Sequence, residues 1–305
     1  MRIQAPRREL ETTATAPAAK AVVELSAALN EGMAIYRTLL ATGMDSFEAI
    51  APAAQGDRTV TAHLWLEALR MVEIPAGTFK MGSPHNEEDR DKDEGPQHMV
   101  MITRPFGMGA LTVTQGCWEA LMGSNPSHFA GDPRLPVEQV SWKDICGPDG
   151  FLDRLNALTE GTRPEGQVFR LPTEAEWEYA CRAGTTTAYS FGSDWANVGD
   201  YAWNVDNSNE RPHPVGQKKP NAWGLYDMHG NMWEWCLDVW HDTYKGAPQD
   251  GSAWVEGGDH YQRIIRGECW HCKAQDTRPA FRYKLGSDNQ NYHIGFRLVL
   301  AGMAP

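Results

Sequence analysis

Basic residues are in the minority, 28 Lys and Arg against 40 Asp and Glu, giving a formal net charge of −12 and a pI near 5.3. Gripping a phosphate backbone takes a clustered basic face, so nucleic acid is not an expected partner. No run approaches the roughly 18 consecutive apolar residues of a spanning helix, and the opening MRIQAPRREL lacks the apolar core of a secretory signal. The expectation is synthesis in the cytoplasm without membrane insertion. Also missing are the G-x-S-x-G elbow, a Walker loop, H-E-x-x-H and a dinucleotide fingerprint, which removes the commonest hydrolase, nucleotide-binding and metalloprotease chemistries. Cysteine is sparse and scattered: Cys117, Cys146, Cys181, Cys236, Cys269 and Cys272. Most have aromatic or aliphatic neighbours, as buried free thiols do, and no disulfide framework is indicated.

What is present is 41% hydrophobic residue content with 12 tryptophans and 29 glycines in 305 residues. That mixture suits a loop-rich fold with aromatic anchors better than a helical bundle, where an interior glycine costs about 1 kcal/mol. Length allows one large domain and an accessory segment. Residues 1–16 are rich in Pro, Thr, Ala and Arg and are expected to be disordered. Residues 17–70 are expected to form a helical extension. Val22, Leu25, Leu29, Met33, Tyr36 and Leu40 recur at three- and four-residue intervals, predicting a helix from about Pro17 to Ala41 with one apolar stripe. The stripe would pack on the main domain or pair with a second chain. A short helix is expected over Ser46 to Ala51.

From Met71 to residue 305 the texture changes to short segments cut by Gly and Pro. TQGCWEALMG and TEAEWEYACRAG each carry a capping threonine and a glycine stop, the second with capping-box spacing from Thr173 to Glu176. SWKDICGPDGFLDRLNALT predicts a third helix. In the second helix Trp177 and Ala180 would face a core while Glu174, Glu176 and Glu178 would be solvated. The acidic run NEEDRDKDEG, residues 86–95, reads as a solvated loop. The whole is an α+β class domain whose long loops would carry recognition.

Six motifs in order then become specific: IPAGTFKMGS, MGSNPSHF, LPVEQVSW, FRLPTEAEWEYACRAG, GLYDMHGNMWEWCLDVW and GFRLV. Together they resemble the formylglycine-generating enzyme (sulfatase-modifying factor) family, a subclass of the C-type lectin fold, over residues 71–301. The resemblance implies that fold, with the helical extension in front of it. It also implies structural Ca2+ near GNMWEW, where Asn231 and Glu234 offer hard oxygen donors three residues apart; the alternative is that both bond loop backbone. The oxidase that names the family resembles a copper(I) enzyme with two cysteines after an RGGSW-like motif. Here the stretch is RGECWHCKAQDTRPAFR. Cys272 stands where the first of the pair would be, but the second falls near Asp276 and Thr277, so copper is not expected. Cys269 and Cys272 could serve as a replacement pair, and they are the catalytic candidates if the chain is an oxidase after all. A likeness to sulfoxide synthases fails because the segment before Met71 holds one histidine, His63, and no iron-binding cluster.

The C-terminal segment 266–297 combines a frame that matches the family (Arg266, Gly267, Trp270, Ala280, Arg282, Gly295, Phe296, Arg297) with an assorted filling. The filling is Glu268, Cys269, His271, Cys272, Asp276, Thr277, Tyr283, Leu285, Asp288, Asn289, Asn291, Tyr292 and His293. This resembles the variable region of diversity-generating retroelement proteins, whose adenine-directed mutagenesis of Asn codons reaches every one of these residue types except Glu. Lys273, Gln275, Lys284 and Gln290 are likewise outside the reachable set. Tyr, Asn, Asp and His on a rigid frame supply aromatic area and adaptable hydrogen bonds, as antibody loops do. The filling, Glu268 excepted, is therefore the candidate ligand-binding surface, for a protein or glycan, with Trp270 as its anchor. The alternatives are the copper oxidase and a non-catalytic family member with one fixed protein partner.

Overall fold

The structure, a computed structural model, describes the backbone of residues 16–302 and the side chains from 26 onward. The disorder expected of residues 1–16 therefore falls, Ala16 apart, outside the described residues. The chain forms two compact units that divide between Leu64 and Trp65.

The first unit is helical. α1 runs Ala16–Ala41, α2 Ile50–Ala54 and α3 Arg58–Ala68, the last continuing across the division. α1 ends at Gly43, whose φ of 89° only glycine adopts cheaply. The apolar stripe is turned from its expected position. Leu29 and Met33 are half-buried and Tyr36 is buried, but Leu40 is exposed, while Val22 and Leu25 lie outside the described side chains. The reason is Gly32: a Cβ there would sit 2.5 Å from Cγ1 of Val60, so α1 is in contact along its Gly32–Tyr36 face. The short helix expected over 46–51 begins later, at Ile50, because the Asp45 carboxylate takes the backbone N–H of Phe47 at 2.9 Å and holds a turn. Among the described residues no helix is long and apolar enough to cross a membrane.

Among the described residues the second unit is built of three sheets, antiparallel but for one strand pair, and four α-helices. β1 (Met71–Ile74), β4 (Phe106–Gly109), β10 (Val299–Gly302) and β5 (Gln167–Arg170) form one sheet in that order, so the last strand of the domain lies between early ones. β2 (Gly77–Met81) and β3 (His98–Ile102) make a hairpin. The third sheet has the order β8 (Arg282–Gly286), β7 (Asp259–Arg266), β6 (Trp233–Trp240) and β9 (Ile294–Gly295), with β9 parallel to β6. Apart from β6 and β7, of eight residues each, the strands run five residues or fewer, as the Gly- and Pro-cut sequence implies. The mixed helix and sheet content is that of the α+β, C-type-lectin-like class.

Local signals act as expected in two helices. α4, Gln115–Met122, has Thr114 accepting Cys117 N–H and stops at Gly123 with φ 96°. α7, Glu174–Arg182, has both halves of its capping box, Thr173 with Glu176. The third predicted helix is two: α5, Trp142–Cys146, and α6, Phe151–Leu158. The Gly147-Pro148-Asp149-Gly150 interruption breaks it, with Asp149 in the left-handed region at φ 58°.

α7 is the centre of the core. Trp177, Ala180 and Cys181 are fully buried with Ile74, Met108, Leu225, Ile264 and Val299 around them. The three glutamates expected to be solvated are buried as well, Glu178 at 0% exposure. Each has an arginine: Glu174 takes Arg266 and Arg282, Glu176 takes Arg170, and Glu178 takes Arg266 and Arg182. Burial alone would raise the Glu174 carboxyl, but Arg282 and Arg266 more than offset that and hold it below the usual carboxylate range. The acidic run is likewise not wholly solvated. Glu94 is buried against Arg278 at 2.7 Å, and Glu87 reaches the same guanidinium at 2.7 Å.

Candidate functional site: the C-terminal surface

The segment after β7 is fastened by arginines. Arg266 ends β7 and enters the α7 glutamates; Arg278 holds Glu94 and Glu87 in the 86–95 loop; Arg282 opens β8 with two hydrogen bonds to Glu174 at 2.8 and 2.9 Å. Arg297, after β9, grips Glu234 through Nε at 3.0 Å and Nη2 at 2.9 Å. Buried pairs like these repay their desolvation only where the geometry is close, which fixes their placement, although Nε of Arg266 and of Arg278 has no hydrogen-bond partner among the described residues. All eight frame residues, Arg266, Gly267, Trp270, Ala280, Arg282, Gly295, Phe296 and Arg297, are buried.

Of the filling, Glu268, Cys269 and Thr277 are buried too, and the rest reach solvent. His271, Tyr283, Asp288, Asn289 and Tyr292 are exposed; Cys272, Asp276, Leu285, Asn291 and His293 are half-buried. β8 illustrates why: Arg282 points into the core and Tyr283 out, the two-residue alternation of a strand. Cys269 and Thr277 are corrections to the sequence-based set. The Cys269 side chain is at 0% exposure, and the Thr277 hydroxyl donates to Ala274 O at 2.8 Å while its carbonyl accepts from Nδ1 of buried His229 at 2.8 Å. Neither faces a ligand from outside.

The exposed positions fall into groups. Tyr292, His293, His271 and the anchor Trp270 cluster with two residues from another loop, His128 and Phe129: ring centroids are 5.6 Å apart for Phe129 and Trp270, 5.8 Å for His128 and Tyr292, and 4.7 Å for His271 and His293. Tyr283 packs 6.0 Å from Trp233. Asp288 accepts from Tyr261 Oη at 2.7 Å and lies 3.6 Å from Lys143 Nζ, and Gln290 donates to Asp144 at 2.9 Å. Asn289 is held by its own N–H to Gly286 O, and the buried Oδ1 of Asn291 has no hydrogen-bond partner among the described residues. Asp276 sits apart, in a stretch fastened by Tyr189 Oη to Gln275 O at 3.3 Å. Burial lowers the His271 imidazole below its usual range and pushes that of His293 down to about 4, His271 adding to the latter. Both rings therefore stand neutral at pH 7, as aromatic and hydrogen-bonding groups.

His128, Phe129, Tyr261 and Lys143 were not candidates from sequence. MGSNPSHF is a conspicuous motif, but nothing local says that it abuts residues more than a hundred positions away.

Asn231 and Glu234 have their oxygens occupied. Glu234 accepts Thr112 Oγ1 at 2.8 Å and Arg297 Nη2 on Oε1, and Trp177 Nε1 at 2.8 Å and Arg297 Nε on Oε2. Asn231 Oδ1 accepts His213 N–H at 2.9 Å and its amide donates to His213 O at 3.0 Å. A carboxylate saturated by an arginine does not fit a calcium ion; Asn231 bonds loop backbone as the alternative has it, whereas Glu234 bonds the side chains of Thr112, Trp177 and Arg297. The copper pair of the oxidase does not fit either. A thiol would be needed near Asp276 and Thr277, where Thr277 is packed against backbone.

The sulfatase-modifying factor enzyme 1-like domain matches residues 60–301. The chain belongs to that family. Among curated relatives, the chaperone protein LppX of Paenibacillus barcinonensis is 34% identical over 64% of this chain and 79% of its own. The formylglycine-generating enzyme of Mus musculus is 28% identical over 76% of this chain and 75% of its own. Two solved structures share the fold across 75% of the chain. PvdO from Pseudomonas aeruginosa superposes with a TM-score of 0.66 at 33% identity over 93% of its length, and Treponema denticola variable protein 1 with 0.64 at 28% over 94%. Within the family, then, the chain resembles proteins described as enzyme, chaperone and variable protein, and the fold alone does not choose among them.

Proposed function

We propose that this family member is a ligand-binding protein whose C-terminal surface, built on a lectin-like frame, is diversified in the manner of retroelement variable proteins. The observation that carries the proposal is the division between frame and filling. Every frame residue is buried, its three arginines in ion-pair networks, while the filling residues other than Glu268, Cys269 and Thr277 reach solvent. A fold organised in this way can accept substitution on its surface without touching its core. The likeness to Treponema denticola variable protein 1 supports the same reading. The ligand would be a protein or glycan met by Tyr283, Tyr292, His271 and Asn289, with fixed aromatic support from Trp270 and Phe129. Tyrosine and asparagine combine contact area at small entropic cost with adaptable hydrogen bonds.

The test is in the neighbouring DNA: a search for a near-repeat of the codons for residues 266–297 and for a reverse-transcriptase frame. A repeat whose mismatches fall at template adenines supports diversification, with mismatches expected at the exposed positions and absent at Thr277. With no repeat, the surface is a fixed one. The oxidase alternative draws on the formylglycine-generating relatives. It requires oxygen consumption with a cysteine peptide that is lost on Cys272→Ser, and oxygen consumption of that kind would displace the binder.

A further inference from the structure

Cys269, His271 and Cys272 lie on a turn that the fold has built before any ligand arrives. Gly267 at φ 98° and Glu268 at φ 61° swing the chain out of β7, and a Cβ on Gly267 would meet Cζ2 of Trp177 at 2.9 Å. The Cys272 N–H then donates to Cys269 O at 3.0 Å, closing the C-x-x-C turn. Both flanks are held: Trp270 N–H donates to Asn231 O at 3.1 Å, and Val205 N–H donates to Cys272 O at 2.9 Å. The outcome is two sulfurs and an imidazole nitrogen all within 4.8 Å of one another, with Cys269 Sγ 3.3 Å from His271 Nδ1.

We propose that Cys269, His271 and Cys272 form a three-ligand zinc site whose fourth position is open. Metal–ligand bonds of about 2.3 Å to sulfur and about 2.0 Å to nitrogen make the edges of a tetrahedron roughly 3.5–3.8 Å long. The donors, within 4.8 Å of one another, therefore need to close by no more than about 1.3 Å, within the reach of side-chain rotation on a backbone already fixed. Two thiols with an imidazole are a borderline-soft set that selects zinc over calcium or magnesium.

Buried polar atoms without partners among the described residues flank the three donors. Glu268 is at 3% exposure, and its Oε2 is buried with no hydrogen-bond partner among the described residues. Zinc binding would release the thiol protons of Cys269 and Cys272 to solvent. On the far side of His271 the His293 ring lies 4.7 Å away, its Nδ1 also buried without a partner among the described residues. The set shares Cys272 with the position of the oxidase's copper pair but completes it with residues that the pair does not use. The inference does not rest on the diversified-surface reading, since a fixed surface could carry the same ions.

The experiment uses the full chain, reduced and metal-free, titrated with Co2+ and then Zn2+. One Co2+ per chain is expected, with intense thiolate-to-cobalt charge-transfer absorption that stoichiometric zinc abolishes. Cys272→Ser should remove the band, and His271→Ala should weaken zinc by at least about tenfold. The His271 side chain is exposed, so its variant is expected to keep the native circular dichroism and remains informative if the cysteine variants misfold. The proposal is overturned by the absence of a charge-transfer band, by a band that survives the Cys269→Ser/Cys272→Ser double substitution, by a Cys269–Cys272 disulfide forming in place of the complex, or by binding of Cu(I) without zinc.

Discussion

Replacing Arg297 with methionine removes the charge that the frame is built around while keeping much of the volume. Arg297 is at 0% exposure and makes four hydrogen bonds: two to Glu234, one from Nη1 to Gly109 O at 2.8 Å and one from Nη2 to Tyr226 O at 2.8 Å. Its loss leaves Glu234, 1% exposed, as a buried anion supported only by Thr112 and Trp177. Breaking one side of a buried ion pair costs about 3–5 kcal/mol, most of it the stranded charge and not the lost attraction. For a unit of this size that is roughly a 10 °C fall in Tm. The second half of the experiment removes the stranded charge. In Arg297→Met/Glu234→Gln the amide oxygen can still take the Trp177 indole N–H while the amide donates to the Thr112 hydroxyl. The double variant should therefore be more stable than Arg297→Met alone, by about 1–3 kcal/mol. Urea unfolding followed by tryptophan fluorescence measures both. A cost below about 1 kcal/mol for Arg297→Met, or a double variant less stable than the single one, would refute the account of the frame.

Two further outcomes follow from the same geometry. Tyr283→Ala, Tyr292→Ala and Asn289→Ala should each change stability by no more than about 0.5 kcal/mol, whereas Thr277→Tyr, which overfills a buried site, should cost about 1–3 kcal/mol; equal costs in the two sets would erase the boundary between frame and filling. His229 is buried between Thr277 O and Ser190 Oγ, and burial, with Arg182 adding to it, lowers its imidazole to about 4. The unfolded chain therefore binds the extra proton between pH 6.5 and about 4, so this contribution is complete above pH 6.5 and falls by about 3 kcal/mol as the pH drops through that window. Urea midpoints measured across pH should flatten there in His229→Gln, and an unchanged slope would show that another group is responsible.

The pattern of agreement and failure has a common cause. Thr114, Thr173 and Gly123 announce helix ends because a cap bonds its own first or last turn, and that chemistry is complete within four residues. The frame was legible as a set of names, Arg266, Arg282 and Arg297, but not the partners that those names require. Glu174, Glu176 and Glu178 looked like a wet face, since an acidic residue on a helix is solvated unless an arginine from elsewhere is delivered to it. Three of the arginines that bury these glutamates and Glu94 arrive from Arg266, Arg278 and Arg282, far along the chain. The break of the third helix at Gly147-Pro148 could have been read locally, because proline and glycine there oppose helix continuation.

By itself the sequence determined the family, the α+β class, the capped helices and the stretch in which frame and filling alternate, because each of these is written in spacing and residue type. Tertiary structure alone decided which filling residues meet solvent, that Cys269 and Thr277 do not, and that His128, Phe129 and Tyr261 stand beside the C-terminal surface. It also decided that Glu234 is neutralised by Arg297 and leaves no oxygen for calcium, and that two thiols and an imidazole converge on one turn. The physical reason is that burial and pairing are properties of what the rest of the chain brings to a residue, and these contacts join positions too distant in sequence for any local pattern to record.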